Sequence, residues 1–100
     1  MLLNLGFLLG SRIFRVLGRK GVIDILERLD KRGEGLKYKE IEEVVGNPST
    51  ATRNLMELEA FGIVERKVSS EKYRPVYYLL TDEGRELLSM VREIREKYSR

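Results

Sequence analysis

NPSTATRNLMELEAFG, Asn47 to Gly62, is the stretch whose reading decides the fold. Asn47 is a strong helix N-cap, because its side-chain oxygen can accept from the free N–H groups of the first turn. Pro48 suits the first helical position, where a missing N–H costs nothing and φ is already set. Gly62 closes the helix as a C′ residue able to take the left-handed conformation without a Cβ penalty. Between these marks Ala51, Leu55 and Leu58 recur at i, i+4 and i+7, one narrow apolar face. The opposite face carries Ser49, Thr50, Thr52, Arg53, Met56 and Glu57. Taken alone, such a face belongs either to a solvated surface helix or to a helix that reads a groove, and the neighbouring segments decide between them.

Upstream, Leu36 and Tyr38 alternate with Lys37 and Lys39, which predicts a short strand or extended entry. Ile41, Val44 and Val45 then mark a brief helix that ends at Gly46, next to the N-cap Asn47. A short helix, a tight glycine turn and a capped second helix form a helix-turn-helix pattern. Downstream of Gly62 the period switches from helical to alternating. Residues 63–68 and 76–80 read as two strands, and SSEKYRP (69–75) as the loop of a hairpin tipped by Lys72, Tyr73 and Arg74. Pro75 cannot donate to a ladder, so it belongs at the mouth of that loop or on an edge.

Two further helices flank this unit. Val22, Ile25, Leu26 and Leu29 give a clean amphipathic stripe, with Lys31 and Arg32 suiting the negative helix end and Gly33 as a C′ candidate. Thr81 caps a last helix whose first turn holds Asp82 and Glu83. Gly84 inside that turn implies close packing on the hairpin or the first helix. Leu87, Val91, Ile94 and Tyr98, widened near the start by Leu88 and Met90, form the predicted apolar stripe, with one half of the helix expected to pack inside and the other on a partner. Before them lies the most apolar block, Met1 to Leu9, closing at Gly10. It is too short for a bilayer span of about 20 residues, and it has neither the leading charge nor the cleavage site of a signal peptide. Leu2 to Leu17 is expected to be helical, with Gly6 and Gly10 as a small-residue pair. It either folds back on its own core or forms a dimer interface.

A length of 100 residues supports one core. The sequence has no Cys and no His, which excludes disulfides, thiol redox chemistry, His- or Cys-ligated metals and a His general base. No nucleophile–base pair or cofactor motif can be assembled, so the chain is not expected to be an enzyme. A net charge of +3 with pI near 9.3 permits a polyanionic partner without requiring one. Gln is absent while charged residues make up 35%, a combination expected of a thermophilic source.

In this order and spacing, VLGRKGVIDILERL, LKYKEIEEVVG, NPSTATRNLMELEAFGIVERK and RPVYYLLTDEGRELL resemble winged-helix regulators of the MarR/ArsR/HxlR type, closest to the HxlR-like branch. LTDEG after a Tyr-rich strand is the most specific element; the apolar N-terminal block is not part of the shared pattern. The resemblance implies a fold that is mainly α with a small β-hairpin: a winged helix-turn-helix with a three-helix core plus wing, and N- and C-terminal dimerisation helices. The expected division is a DNA-binding domain (18–81) and a C-terminal helix (82–100), preceded by the apolar N-terminal helical extension (1–17) for dimer or core packing, which is read from the sequence itself. The implied function is a cytoplasmic, homodimeric, sequence-specific transcriptional regulator on a palindromic double-stranded DNA operator, with no membrane, metal or cofactor. HxlR-like proteins often sense electrophiles through Cys, and this chain, lacking Cys, cannot.

Carried over by position, the groove-facing residues of the recognition helix (48–61) are Ser49, Thr50, Thr52, Arg53 and Met56. The wing (69–75) contributes Lys72, Tyr73 and Arg74 at the minor groove, and Lys37 and Lys39 add charge near the preceding helix. The chemistry agrees: Arg can donate a bidentate pair to guanine O6 and N7, and Thr methyls can meet thymine methyls. Asn54, nearer the apolar face, is expected to satisfy a local backbone group, and Lys31, Arg32, Arg92 and Arg95 to form solvated faces. The rival is a winged helix used as a protein-interaction module or adaptor, because fold alone does not settle function. An expendable Arg53 and wing would mark that rival.

Overall fold

The computed structural model describes residues 12–99. The expected helix over Leu2 to Leu17 is described only from Arg12, as the short helix α1 (12–17), and the Gly6–Gly10 pair lies outside the described residues. There follow α2 (Val22–Lys31), β1 (Leu36–Lys37), α3 (Tyr38–Val45), α4 (Pro48–Ala60), β2 (Val64–Val68), β3 (Val76–Leu80) and α5 (Asp82–Tyr98). Every apolar position of the predicted α2 stripe is buried: Val22, Ile25, Leu26 and Leu29. Ile41 and Val45 of α3, Leu55 and Leu58 of α4, and Leu36, Val64, Leu80 and Leu88 complete the core around them. Each such side chain contributes about 1.5–3 kcal/mol through burial.

The expected hairpin forms, with Val64 opposite Leu80 and Val68 opposite Val76. Beyond the hairpin, β1 joins it as a third antiparallel strand in the order β1-β3-β2, pairing Leu36 with Tyr78 and Lys37 with Tyr77. The strand is shorter than the alternation through Lys39 predicts. Helix α3 begins at Tyr38, and the Glu40 carboxylate turns back to accept from the Lys37 backbone N–H at 3.1 Å. The left-handed residue after α2 is Gly35 (φ +96°) and not the predicted Gly33. Gly35 lies directly on the sheet: an added Cβ would come within 2.8 Å of the Tyr78 carbonyl oxygen.

Thr81 joins three elements. Its backbone N–H donates to the Ile63 carbonyl at 3.0 Å, and its hydroxyl lies 2.5 Å from the Gly62 carbonyl oxygen. Thr81 Oγ1 in turn accepts from Gly84 N–H at 3.0 Å, making the predicted N-cap of α5. Gly84 is buried there, and a Cβ at this position would run into the Ile63 carbonyl oxygen and the Leu80 side chain. Close packing therefore excludes a side chain, as the sequence implied.

The apolar stripe of α5 is buried only near its start, where Leu88 widens it. Leu88, one turn beyond Gly84, is the fully buried residue, while Leu87 and Val91 are only partly covered. Ile94 and Tyr98 are exposed, together with Met90. Arg92 and Arg95, exposed as expected, also reach across to α2. Arg92 donates to Asp30 at 3.1 Å and Arg95 to Glu27 at 2.5 Å. These pairs are half-exposed, so each adds at most about 1 kcal/mol.

Gly84→Ala is expected to destabilise the fold by about 1–3 kcal/mol through overpacking, read as a lowered urea midpoint at unchanged slope. Gly33→Ala, where nothing lies within 4 Å of an added Cβ, is the control and should stay within about 0.5 kcal/mol of the parent.

Candidate nucleic-acid interface

The α3–α4 turn follows from two local interactions. Gly46, at φ +81°, ends α3 with its N–H on the Glu42 carbonyl, and Asn47 Oδ1 accepts from Thr50 N–H at 3.0 Å to start α4. Pro48 takes the predicted position in the first turn, and Gly62 takes the predicted left-handed conformation after the helix, at φ +74°. One face of α4, formed by Ala51, Asn54, Leu55 and Leu58, is buried. Ser49, Thr52, Arg53 and Met56 are therefore left exposed on the other, with Thr50 half-buried beside the cap.

Tyr38, at the start of α3, ties the two helices together. Its hydroxyl donates to the Pro48 carbonyl at 2.9 Å and lies 3.0 Å from Thr52 Oγ1. The phenolic proton is committed to the carbonyl, so the Thr52 hydroxyl is the donor in the second bond. Thr52, exposed on α4, then keeps acceptor lone pairs but has no proton of its own to give.

Arg53 extends from the exposed face, with Nε 3.7 Å from Glu57 Oε1 one turn on. Glu57 is also held in an ion pair by Arg19, from the turn between α1 and α2. The hydrogen bond from Arg19 holds the Glu57 carboxyl below the usual carboxylate range. Desolvation opposes the shift, and the charges of Arg19, Arg53 and Arg12 reinforce it. The charge of Glu57 is thus compensated within the fold.

Asn54 does not satisfy a local backbone group as expected. It is fully buried, and its Oδ1 faces Arg19 Nη1 at 3.4 Å, while Nδ2 has no partner among the described residues. Arg19 is the residue that sequence reasoning missed. Its partners lie 35 and 38 positions away, and no local pattern signals contacts at that range.

The wing loop 69–75 is closed by Ser69 N–H donating to the Pro75 carbonyl at 2.8 Å, which puts Pro75 at its mouth. Tyr73 and Arg74 both adopt positive φ, +68° and +46°. That conformation is uncommon outside glycine, and it turns the Tyr73 ring outward, 88% exposed. Lys72 Nζ lies 5.3 Å from the centroid of that ring, and Arg74 is exposed beside it. Lys37 is set against the sheet, its ammonium 5.7 Å from the Tyr77 ring centroid, and Lys39 is exposed on the first turn of α3. Among the described residues no helix is long and apolar enough to cross a membrane, and no cluster of acidic side chains could hold a metal ion.

Three packed helices, the last capped and presenting a free face, followed by a basic-tipped hairpin, define a winged helix-turn-helix. Residues 16–100 match the family described as HxlR-like helix-turn-helix, and the chain belongs to that family. The reduced form of the transcriptional regulator YodB from B. subtilis superposes with a TM-score of 0.72 at 28% identity, over 89% of this chain and 90% of that one. A MepR variant from S. aureus bound to an oligodeoxyribonucleotide shares the fold at 16% identity. Its TM-score is 0.68, over 96% of this chain and 79% of that one. A MarR-family transcriptional regulator from Silicibacter pomeroyi does so at 21% identity and a TM-score of 0.62, over 89% and 63%. No curated protein matches the chain in sequence.

A carboxyl whose folded pKa is depressed adds stability above its unfolded pKa and loses it as pH falls through the folded value. The stability difference between the parent and Glu57→Gln, measured by urea unfolding, should therefore favour the parent at pH 7. It should shrink as pH drops from about 5 towards about 3. A difference independent of pH would contradict the Arg19–Glu57 pairing.

Proposed function

We propose that the chain is a homodimeric, sequence-specific transcriptional regulator of double-stranded DNA, acting in the cytoplasm on a palindromic operator. In this reading the recognition helix, 48–61, enters the major groove and the wing, 69–75, lies at the adjacent minor groove. The DNA-binding unit spans residues 18–81, flanked by the N-terminal extension (1–17) and the C-terminal helix (82–100).

The observation that carries the proposal is the division of α4 into a fully packed stripe and an exposed face bearing Ser49, Thr52, Arg53 and Met56. Arg53 is the base reader, because its guanidinium matches guanine O6 and N7 in a bidentate pair. Thr52, exposed and an acceptor, suits an exocyclic amine, and a Thr methyl can meet a thymine methyl. Met56, 64% exposed, supplies an apolar contact. Ser49 and Thr50 at the helix start suit phosphate oxygens, which fix register. Lys72, Tyr73 and Arg74 present charge and an aromatic ring at the wing tip, and Lys37 and Lys39 add backbone charge beside α3.

Membership in a family of helix-turn-helix proteins and the resemblance to YodB support this reading. Dimerisation is supported by the apolar side chains left exposed at both ends of the fold: Phe14 in α1, and Met90, Ile94 and Tyr98 in α5. Two copies of the capped helix, set by symmetry in successive major grooves, would require a palindromic site.

Arg53→Ala is expected to cost about 1–3 kcal/mol on the operator and to relax preference at one base position. Fluorescence anisotropy with single-base variants of the site checks this. The Lys72→Ala/Arg74→Ala double variant should weaken binding almost uniformly across sequences and reduce the salt slope by about 1 for each lost phosphate contact. If both variants bind like the parent, α4 and the wing are not the DNA surface, and the adaptor reading takes over.

A further inference from the structure

A threonine hydroxyl carries one proton and two acceptor lone pairs, and when free it turns to give or to take. On a helix its usual local partner is the carbonyl one turn back, which for Thr52 is that of Pro48. Here Tyr38 of α3 donates to the Pro48 carbonyl at 2.9 Å, and its oxygen lies 3.0 Å from Thr52 Oγ1. The relay therefore has one direction: Thr52 Oγ1–H to Tyr38 Oη, and Tyr38 Oη–H to the carbonyl. Reversing it would leave two oxygens 2.9 Å apart with no proton between them, since a carbonyl has none to supply. The Tyr38 ring is half-buried against the hydrophobic core. Its hydroxyl is thus delivered from a fixed position, and removing that one oxygen leaves the packing of the ring in place.

Thr52 is exposed on α4 beside Arg53. In the major groove the amines of adenine and cytosine donate, whereas guanine O6 and N7 and thymine O4 only accept. A Thr52 whose proton is taken by Tyr38 can meet the first pair of bases without rearrangement. Facing O6 or O4, it has to break the bond to Tyr38 before it can supply a proton. Every base pair carries one such amine, so the selection concerns the side of the groove: A or C against G or T on the strand that Thr52 faces.

We propose that Tyr38 is a positioning residue for base selection, which takes up the Thr52 proton and so makes that side chain select adenine or cytosine. The inference rests on the proposed entry of α4 into the major groove. It adds to that reading a residue outside the recognition helix that sets what the helix reads. The group responsible is the phenolic oxygen: phenylalanine keeps the ring and releases the Thr52 proton to solvent, to the Pro48 carbonyl or to a base acceptor.

The test compares the full chain with Tyr38→Phe in two measurements. The first needs no DNA: three-bond couplings to the Thr52 methyl carbon report its χ1 rotamer. They should show one fixed rotamer in the parent and an average over rotamers in Tyr38→Phe. The second titrates each protein, by fluorescence anisotropy, with every single-base variant of the duplex upstream of its own gene. At one position of each half-site the parent should prefer A and C over G and T by about tenfold, the worth of one hydrogen bond. Tyr38→Phe should reduce that preference to about twofold or less and leave the other positions, including the one relaxed by Arg53→Ala, as in the parent. Thr52→Val should abolish the same preference in either background.

An identical fixed Thr52 rotamer in parent and Tyr38→Phe overturns the proposal. So does a Tyr38→Phe chain that keeps the parent's selection at every position, or one that loses affinity for all duplexes by the same factor, which would make Tyr38 only a seat for α4. Effects of Thr52→Val and Tyr38→Phe at different positions overturn it as well. A parent that binds all duplexes alike ends the regulator reading and the selection with it. The Thr52 couplings then still decide whether Tyr38 holds the proton, so the two failures are distinguishable.

Discussion

The structure depends on the burial of one narrow stripe of α4. Ala51, Leu55 and Leu58 are removed from water against the core built by α2 and α3, and Asn54 is drawn in with them. Because a helix turns about 100° per residue, fixing that stripe fixes what remains outside: Ser49, Thr52, Arg53 and Met56. The proposed function is a consequence of this division. Hydrophobic burial supplies the stability, and the residues it cannot use are the ones available to a groove.

Other interactions hold α4 in place. Tyr38 pins its first turn to α3, the Thr81 hydroxyl and N–H gather the chain that leaves it, and Arg19 grips Glu57 from the α1–α2 turn. All are polar, and all join segments distant in sequence. A helix seated by side-chain packing alone could rotate by a few degrees; directional bonds at its start, its flank and its exit set its azimuth. In the HxlR-like family to which the chain belongs, with YodB as one structural neighbour, a fixed azimuth is what a groove-reading helix needs.

What the sequence made legible is what short-range chemistry controls. The Asn47 and Thr81 caps, the glycines at 46 and 62, the α2 stripe and the hairpin closed near Pro75 each depend on residues a few positions apart, and each stands as read. What escaped depends on tertiary contact. A two-residue strand carries no period, so the pairing of Leu36 and Lys37 with β3 could not be inferred from alternation. The stripe on α5 was read from spacing alone, which cannot say how far along the helix burial runs: Leu88 lies in the core, while Ile94 and Tyr98 stay outside. Arg92 and Arg95 look like solvent-facing charges until α2 brings Asp30 and Glu27 opposite them. The candidate groove residues on α4 were legible because they are the complement of an apolar pattern.

The claim that α4 and the wing read DNA sequence is tested most directly by titrating the chain against the DNA upstream of its own gene and a scrambled duplex, each at several salt concentrations. The expected result is a specificity gap of roughly 4–10 kcal/mol together with a steep loss of affinity as salt rises. Equal, weak binding to both duplexes at every salt concentration would contradict it.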